Sequence, residues 1–174
     1  MNRAMRRAPD ERGMTAVEIA VTFAIVGSLL AVAVPAFVRD LHSSKLTEPV
    51  EGIKTIAESA TAYARAHDVP HAYPESAPLT PAVVPKGVRL VDPPGTWDRR
   101  WATLGFRPTP EGIPHAFAFE FDSVNGPARS TFRAVAHGDL DGDGALSTFE
   151  VTGWDTAPDG PVLDPGMYVE AELE

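Results

Sequence analysis

The chain has 174 residues, 44% of them hydrophobic and 22% charged, with a formal net charge of −9. Those totals suit one folded domain with an attached segment and exclude a disordered or fibrous chain. The acidic balance argues against a nucleic-acid partner, which needs clustered Lys and Arg for its phosphates, and the lack of cysteine excludes disulfides and thiolate metal sites.

Residues 1–13 set Arg3, Arg6, Arg7 and Arg12 against Asp10 and Glu11, so this short stretch is basic in an acidic chain. Residues 14–38 read MTAVEIAVTFAIVGSLLAVAVPAFV, with Glu18 as their one charge. A helix of that length reaches about 37 Å at ~1.5 Å per residue, enough to cross a bilayer core of roughly 30 Å. The upstream arginines place the N-terminus in the cytoplasm and everything past Val38 outside the inner membrane. Glu18 in hydrocarbon costs on the order of several kcal/mol unless it finds a partner. A free α-amino group on a neighbouring copy, on a chain beginning near Met14, would be one. Two other readings stay open: a secretory signal cut after Ala31-Val32-Ala33, and a plain membrane anchor that leaves Glu18 without a role.

Beyond Val38, Leu46, Val50, Ile53, Ala57, Ala60 and Ala64 fall on one stripe at spacings of three and four, with Leu41 and Tyr63 near its edges. This predicts that the helix carries on and packs a domain along one side, bent or loosened at Pro49 and Gly52. The alternative is a separate amphipathic helix after a break at Pro49. His67 and His71 are four apart, but Pro70 beside them favours solvated histidines over a metal pair.

Residues 70–114 hold ten of the 17 prolines, which predicts a long ordered loop. Trp97, Trp101, Leu104 and Phe106 are its expected anchors, packed in the core and not forming a ligand platform. Strand signals begin at His115. Phe117, Phe119 and Phe121 alternate with Ala116, Ala118 and Glu120. Asn125-Gly126 marks a turn, and residues 130–137 return with Phe132, Ala134 and Ala136 inward. Met167, Val169, Ala171 and Leu173 alternate again in a third strand. A long N-terminal helix packed on a small antiparallel sheet is an α+β fold.

Residues 139–150, DLDGDGALSTFE, fit the spacing D-x-[DN]-x-[DN]-G-x₅-E. Asp139, Asp141 and Asp143 converge in such a loop, Gly144 permits the sharp turn, and the Ala145 carbonyl supplies an oxygen. Ser147 acts through water and Glu150 closes the sphere, the donor set of a structural Ca²⁺ site. The flanks are not helical, so the loop lies between irregular or β elements. The competing reading is an acidic hairpin stabilised by Asx turns.

The segment Arg12-Gly13-Met14-Thr15-Ala16-Val17-Glu18 resembles the type IV prepilin cleavage signal, a Gly before the cut and a Glu five residues after it. The resemblance implies cleavage between Gly13 and Met14 by a prepilin peptidase, N-methylation of Met14, and a role for Glu18 in filament assembly. Met14 stands where Phe is commoner. Gly27 and Pro35 fall where many pilins carry a glycine and a kinking proline. The acidic loop, the segment 101–106 and the ending 166–174 are similar to pilin-like proteins of myxobacteria, while the proline-rich middle is only loosely similar. Calcium near the C-terminus is also a feature of major pseudopilins of type II secretion.

The expected organisation is therefore a leader (1–13), a transmembrane or filament-core helix (14–38) and a pilin-like globular domain (39–174) with the calcium loop at 139–150. The expected role is a structural subunit of a type IV pilus or related filament, with copies of itself and other pilin-like subunits as partners. It would sit in the inner membrane as a precursor and move to a periplasmic or extracellular filament. A type II secretion pseudopilin and a stand-alone anchored calcium-binding envelope protein are the alternatives. No nucleophile elbow, phosphate loop or zinc signature is present in the sequence, so no enzymatic activity is expected.

Overall fold

The apolar run after Gly13 forms a helix, α1 (Ala16–Lys45), in the computed structural model, which describes residues 13–171. The basic residues 1–12 and the last three residues lie outside the described residues. The chain separates into two units, Met1–Asp40 and Leu41–Glu174. In the first unit, the 23 residues Ala16–Val38 are long and apolar enough to cross a membrane, and none of them is buried. Pro35 sits inside the helix.

The second unit contains α2 (Thr47–Ala66). The helix is interrupted only at Leu46, three residues before Pro49, the position of the expected bend and of the alternative break. Pro49 instead occupies the first turn of α2, where a missing N–H leaves no bond unmade. The buried face comprises Pro49, Gly52, Ile53, Ile56, Ala57, Ala60 and Ala64, whereas Val50, expected inside, is 37% exposed. The face is turned because Gly52 lies under the Phe119 ring, so the approach is set by a missing side chain that a count of apolar residues passes over.

All six strands join one antiparallel sheet: β1 (Ala77–Thr80), β2 (Phe117–Val124), β3 (Arg129–Gly138), β4 (Ser147–Thr156), β5 (Gly160–Leu163) and β6 (Tyr168–Glu170). The order is β1-β2-β3-β4-β5, with β6 also on β4. α2 packs on β2, β3, β4 and β5, which makes the domain α+β. Its core holds Phe117, Phe119 and Phe121 of β2, Phe132, Ala134 and Ala136 of β3, and Phe149 and Val151 of β4, as alternation predicts for the first two strands.

Three expectations change. β4 was not foreseen, although its residues alternate buried and half-buried along its whole length. The expected C-terminal strand shrinks to β6, whose three residues are all exposed. The proline-rich segment is not loop throughout, since it contains β1 and a one-turn helix α3 (Arg99–Thr103). Its anchors do pack: Trp101, Leu104 and Phe106 are buried and Trp97 lies against them. The Trp101 indole N–H donates to Thr80 Oγ1 at 2.9 Å.

Two charge-assisted connections tie this irregular segment and α2 to the start of β2. Glu48 Oε1 accepts the amides of Ala116 and Phe117 at 2.8 and 2.9 Å, while Oε2 accepts from Arg89 at 3.1 Å. Asp92 Oδ2 accepts the Trp97 indole N–H at 2.5 Å and lies 2.7 Å from Nε2 of buried His115. The Nδ1 of His115 donates to the Phe117 carbonyl at 2.8 Å, since a carbonyl only accepts.

Gly52, Gly138 and Gly153 each face a phenylalanine ring so closely that a Cβ would overlap it: Phe119, Phe117 and Phe132 respectively. At Gly153 the Val162 carbonyl crowds the same space. Gly153→Ala should therefore destabilise the domain by about 2 kcal/mol, the cost of overpacking a closed core, read as a lowered midpoint in denaturant unfolding. Tyr73 supplies a pH test. Burial first, and then the charge of Asp155, push its phenol pKa upward. The folded state thus keeps a proton that the unfolded state releases, so stability present below about pH 10 is lost as pH rises beyond it. The difference between the parent chain and Tyr73→Phe should change by roughly 1.4 kcal/mol per pH unit above that point, and parallel stability curves from pH 9 to 11 would refute it.

Candidate metal-binding loop and N-terminal segment

β3 ends at Gly138 and β4 begins at Ser147, so the acidic sequence forms the connection of a β-hairpin. Gly142 and Gly144 take φ of 83° and 99°, the left-handed region that a side chain disfavours. The aspartates organise the turn locally. Asp139 Oδ1 accepts the Gly142 amide at 2.7 Å, Asp141 Oδ1 that of Asp143 at 3.1 Å, and Asp143 Oδ1 that of Ala145 at 2.7 Å. The last two are Asx turns, so the hairpin reading and the metal reading describe compatible features of one loop.

Carboxylate oxygens of Asp139, Asp141 and Asp143 lie within 4.8 Å of one another. Calcium binds oxygens at about 2.3–2.6 Å, so ligands on opposite sides of one ion stand up to roughly 5 Å apart, and this cluster fits. Asp141 and Asp143 are exposed, but Asp139 is 1% exposed and its Oδ2 is buried with no hydrogen-bond partner. A buried, unpaired carboxylate oxygen is costly until a cation or donor meets it. The Asp139 carbonyl accepts from Gly87 N at 2.7 Å, which fastens the segment around Lys86 and Gly87 to the base of the loop.

The other expected ligands are placed differently. Ala145 remains in the turn. Ser147 and Glu150 both lie on β4, and residues three apart on a strand face opposite sides of the sheet. Ser147 is fully buried and its Oγ donates to the Gly138 carbonyl at 3.2 Å. Glu150 Oε2 accepts from Arg133 Nε of β3 at 2.8 Å, away from the three aspartates. A helix would have carried the twelfth residue back toward the ion; the strand carries it off. Three aspartates therefore converge where the spacing promised a fuller set.

His67 and His71 form no metal group with other described residues. The His67 ring stacks on Tyr63 at 3.8 Å and its Nδ1 meets the Tyr63 carbonyl at 2.8 Å, closing the end of α2.

At the other end of the chain, Gly13 and Met14 are exposed just ahead of α1. Thr15 and Glu18 form a reciprocal cap. The Glu18 carboxylate accepts the Thr15 amide at 2.7 Å and its hydroxyl at 2.8 Å, and Thr15 Oγ1 accepts the Glu18 amide at 3.3 Å. Glu18 thus has a partner within its own helix as well as any it meets in another copy. The pattern Thr-x-x-Glu before an apolar run is a readable capping signal. The Gly87 contact had none, because it joins residues far apart in sequence. Comparison with family models, with curated proteins and with solved structures finds no match to this chain.

Proposed function

We propose that the chain is a prepilin-type structural subunit, cleaved after Gly13, held in the inner membrane by α1 and assembled into a type IV pilus or related filament. One observation carries this reading. An apolar helix of membrane-spanning length is exposed along that whole span, with a single acid in its first turn, five residues past Gly13. Such a surface needs lipid or other copies of the same helix to cover it. The cap does not remove the need for Glu18, because a carboxylate has room for more donors than Thr15 provides. The hairpin loop is the proposed Ca²⁺ site, formed by Asp139, Asp141 and Asp143 with the Ala145 carbonyl and water completing the shell. Its role is to hold the β3–β4 turn and the Gly87 segment together on the acidic outer domain. That loop also favours the second reading, a pseudopilin of type II secretion.

Glu18→Ala should leave the protein in the membrane yet abolish its incorporation into filaments, while Thr15→Ala, which removes only the cap, retains incorporation. Sheared filament preparations compared with membrane fractions give the readout, and normal assembly of Glu18→Ala would sink the proposal. For the loop, chelation with EDTA should lower the melting temperature of the full chain by on the order of 5–10 °C from that at saturating calcium. Asp139→Asn should remove most of that difference. Identical melting with calcium and with EDTA would dismiss the metal.

A further inference from the structure

The end of α2 and the β4–β5 turn enclose a cleft of about 290 Å³, separate from the acidic loop. Ala64, Val69, Pro158 and Pro161 supply apolar walls, and Asp155 lines it while only 5% exposed. Among the described residues no Lys, Arg or His lies within ion-pair distance of the Asp155 carboxylate. A carboxylate withdrawn from water without a counter-ion is among the costliest groups a fold can carry.

Two buried hydroxyl-bearing residues neighbour Asp155 without lining the cleft. Ser130 stands directly opposite it in the β3–β4 ladder, where facing Cβ atoms are about 5 Å apart. Ser130 is fully buried and its Oγ has no hydrogen-bond partner. Tyr73 is 3% exposed and its hydroxyl is likewise unpartnered. The charge of Asp155 reaches this hydroxyl, since it helps hold the phenol proton in place. The last turn of α2 also ends at the cleft, with Ala64, Arg65 and His67 among the lining residues, and a helix C-terminus carries partial negative charge. The carboxylates of Asp155 and Asp68 outnumber the single guanidinium of Arg65 in the lining, and with the helix C-terminus they favour a cation. The apolar walls would go unused by a hydrated metal ion, but they suit a hydrocarbon stem behind a charged head.

We propose that this cleft is a binding site for an organic cation, a primary ammonium or guanidinium group on a short alkyl stem, with Asp155 as its counter-ion. The site is independent of the filament reading and of calcium.

The test is titration of the full chain in detergent micelles with n-butylammonium chloride and with butylguanidinium chloride, following the amide resonances of Ala64, Val69 and Gly160. Saturable shifts of these resonances are expected for both cations, and none for 1-butanol or for sodium or calcium chloride at equal concentration. Asp155→Asn should weaken binding at least tenfold. A response to 1-butanol equal to that of the amine, or to the inorganic salts alone, overturns the proposal, as does undiminished binding by Asp155→Asn. Should that variant not fold, the selectivity of the parent chain for the amine over the alcohol decides the question alone.

Discussion

The pairing of β3 with β4 is the constraint on which the rest of the domain depends. Each residue from Arg129 to Gly138 has a partner between Thr156 and Ser147 without interruption. A slip of β4 by one residue would exchange its two faces, expelling Phe149 and Val151 and drawing Glu150 inside. With the register fixed, β4 presents its other edge to β5 over one half and to β6 over the other. The same ladder brings Ser130 to Asp155 at one end and hands the chain into the aspartate turn at the other. Two candidate sites of different chemistry thus sit at opposite ends of one pair of strands.

Much of this was readable where a residue's role depends on its near neighbours. The phenylalanines of β2, the inward residues of β3 and the converging aspartates are local patterns with periods of two, and the structure keeps all of them. The reading failed where a distant partner decides. Residues 151–160 look turn-rich because of Gly153 and Pro158, yet Gly153 lies in mid-strand, where the Phe132 ring of β3 occupies the space a side chain would take. Gly52 misled in the same way: its value is the room it leaves for Phe119. Glu150 shows the limit of a spacing motif. Its separation from Asp139 matches a calcium loop, but in a strand that separation puts it beside Arg133.

The proline-rich segment is held by another principle. It has little periodic hydrogen bonding to lose, so a few strong polar contacts and large aromatic surfaces fix its path. Glu48 reaches from the first turn of α2 to two amides at the entry to β2, where it acts in place of a strand partner. Asp92, Trp97 and His115 form a compact polar knot beside the packed rings of Trp101, Phe106 and Phe119. Such contacts in a dry setting are worth more than their number suggests, because each leaves a buried charge behind if it is broken.

The position of β4 in the chain has a consequence for how the protein comes into being. Synthesis runs from α1 to the C-terminus, and α2 emerges with Ile53, Ile56 and its alanines uncovered. The strands that cover them follow only after the whole proline-rich segment, and β4 is the last long element to appear. The packing of α2 on the sheet therefore joins residues made far apart in time, which prolongs the exposure of its apolar face, whereas β2, β3, β4 and β5 each pair with their neighbour in sequence. The proline-rich segment separates α2 from β2 in the chain and contributes only the short strand β1 and the one-turn helix α3 before the hairpins follow.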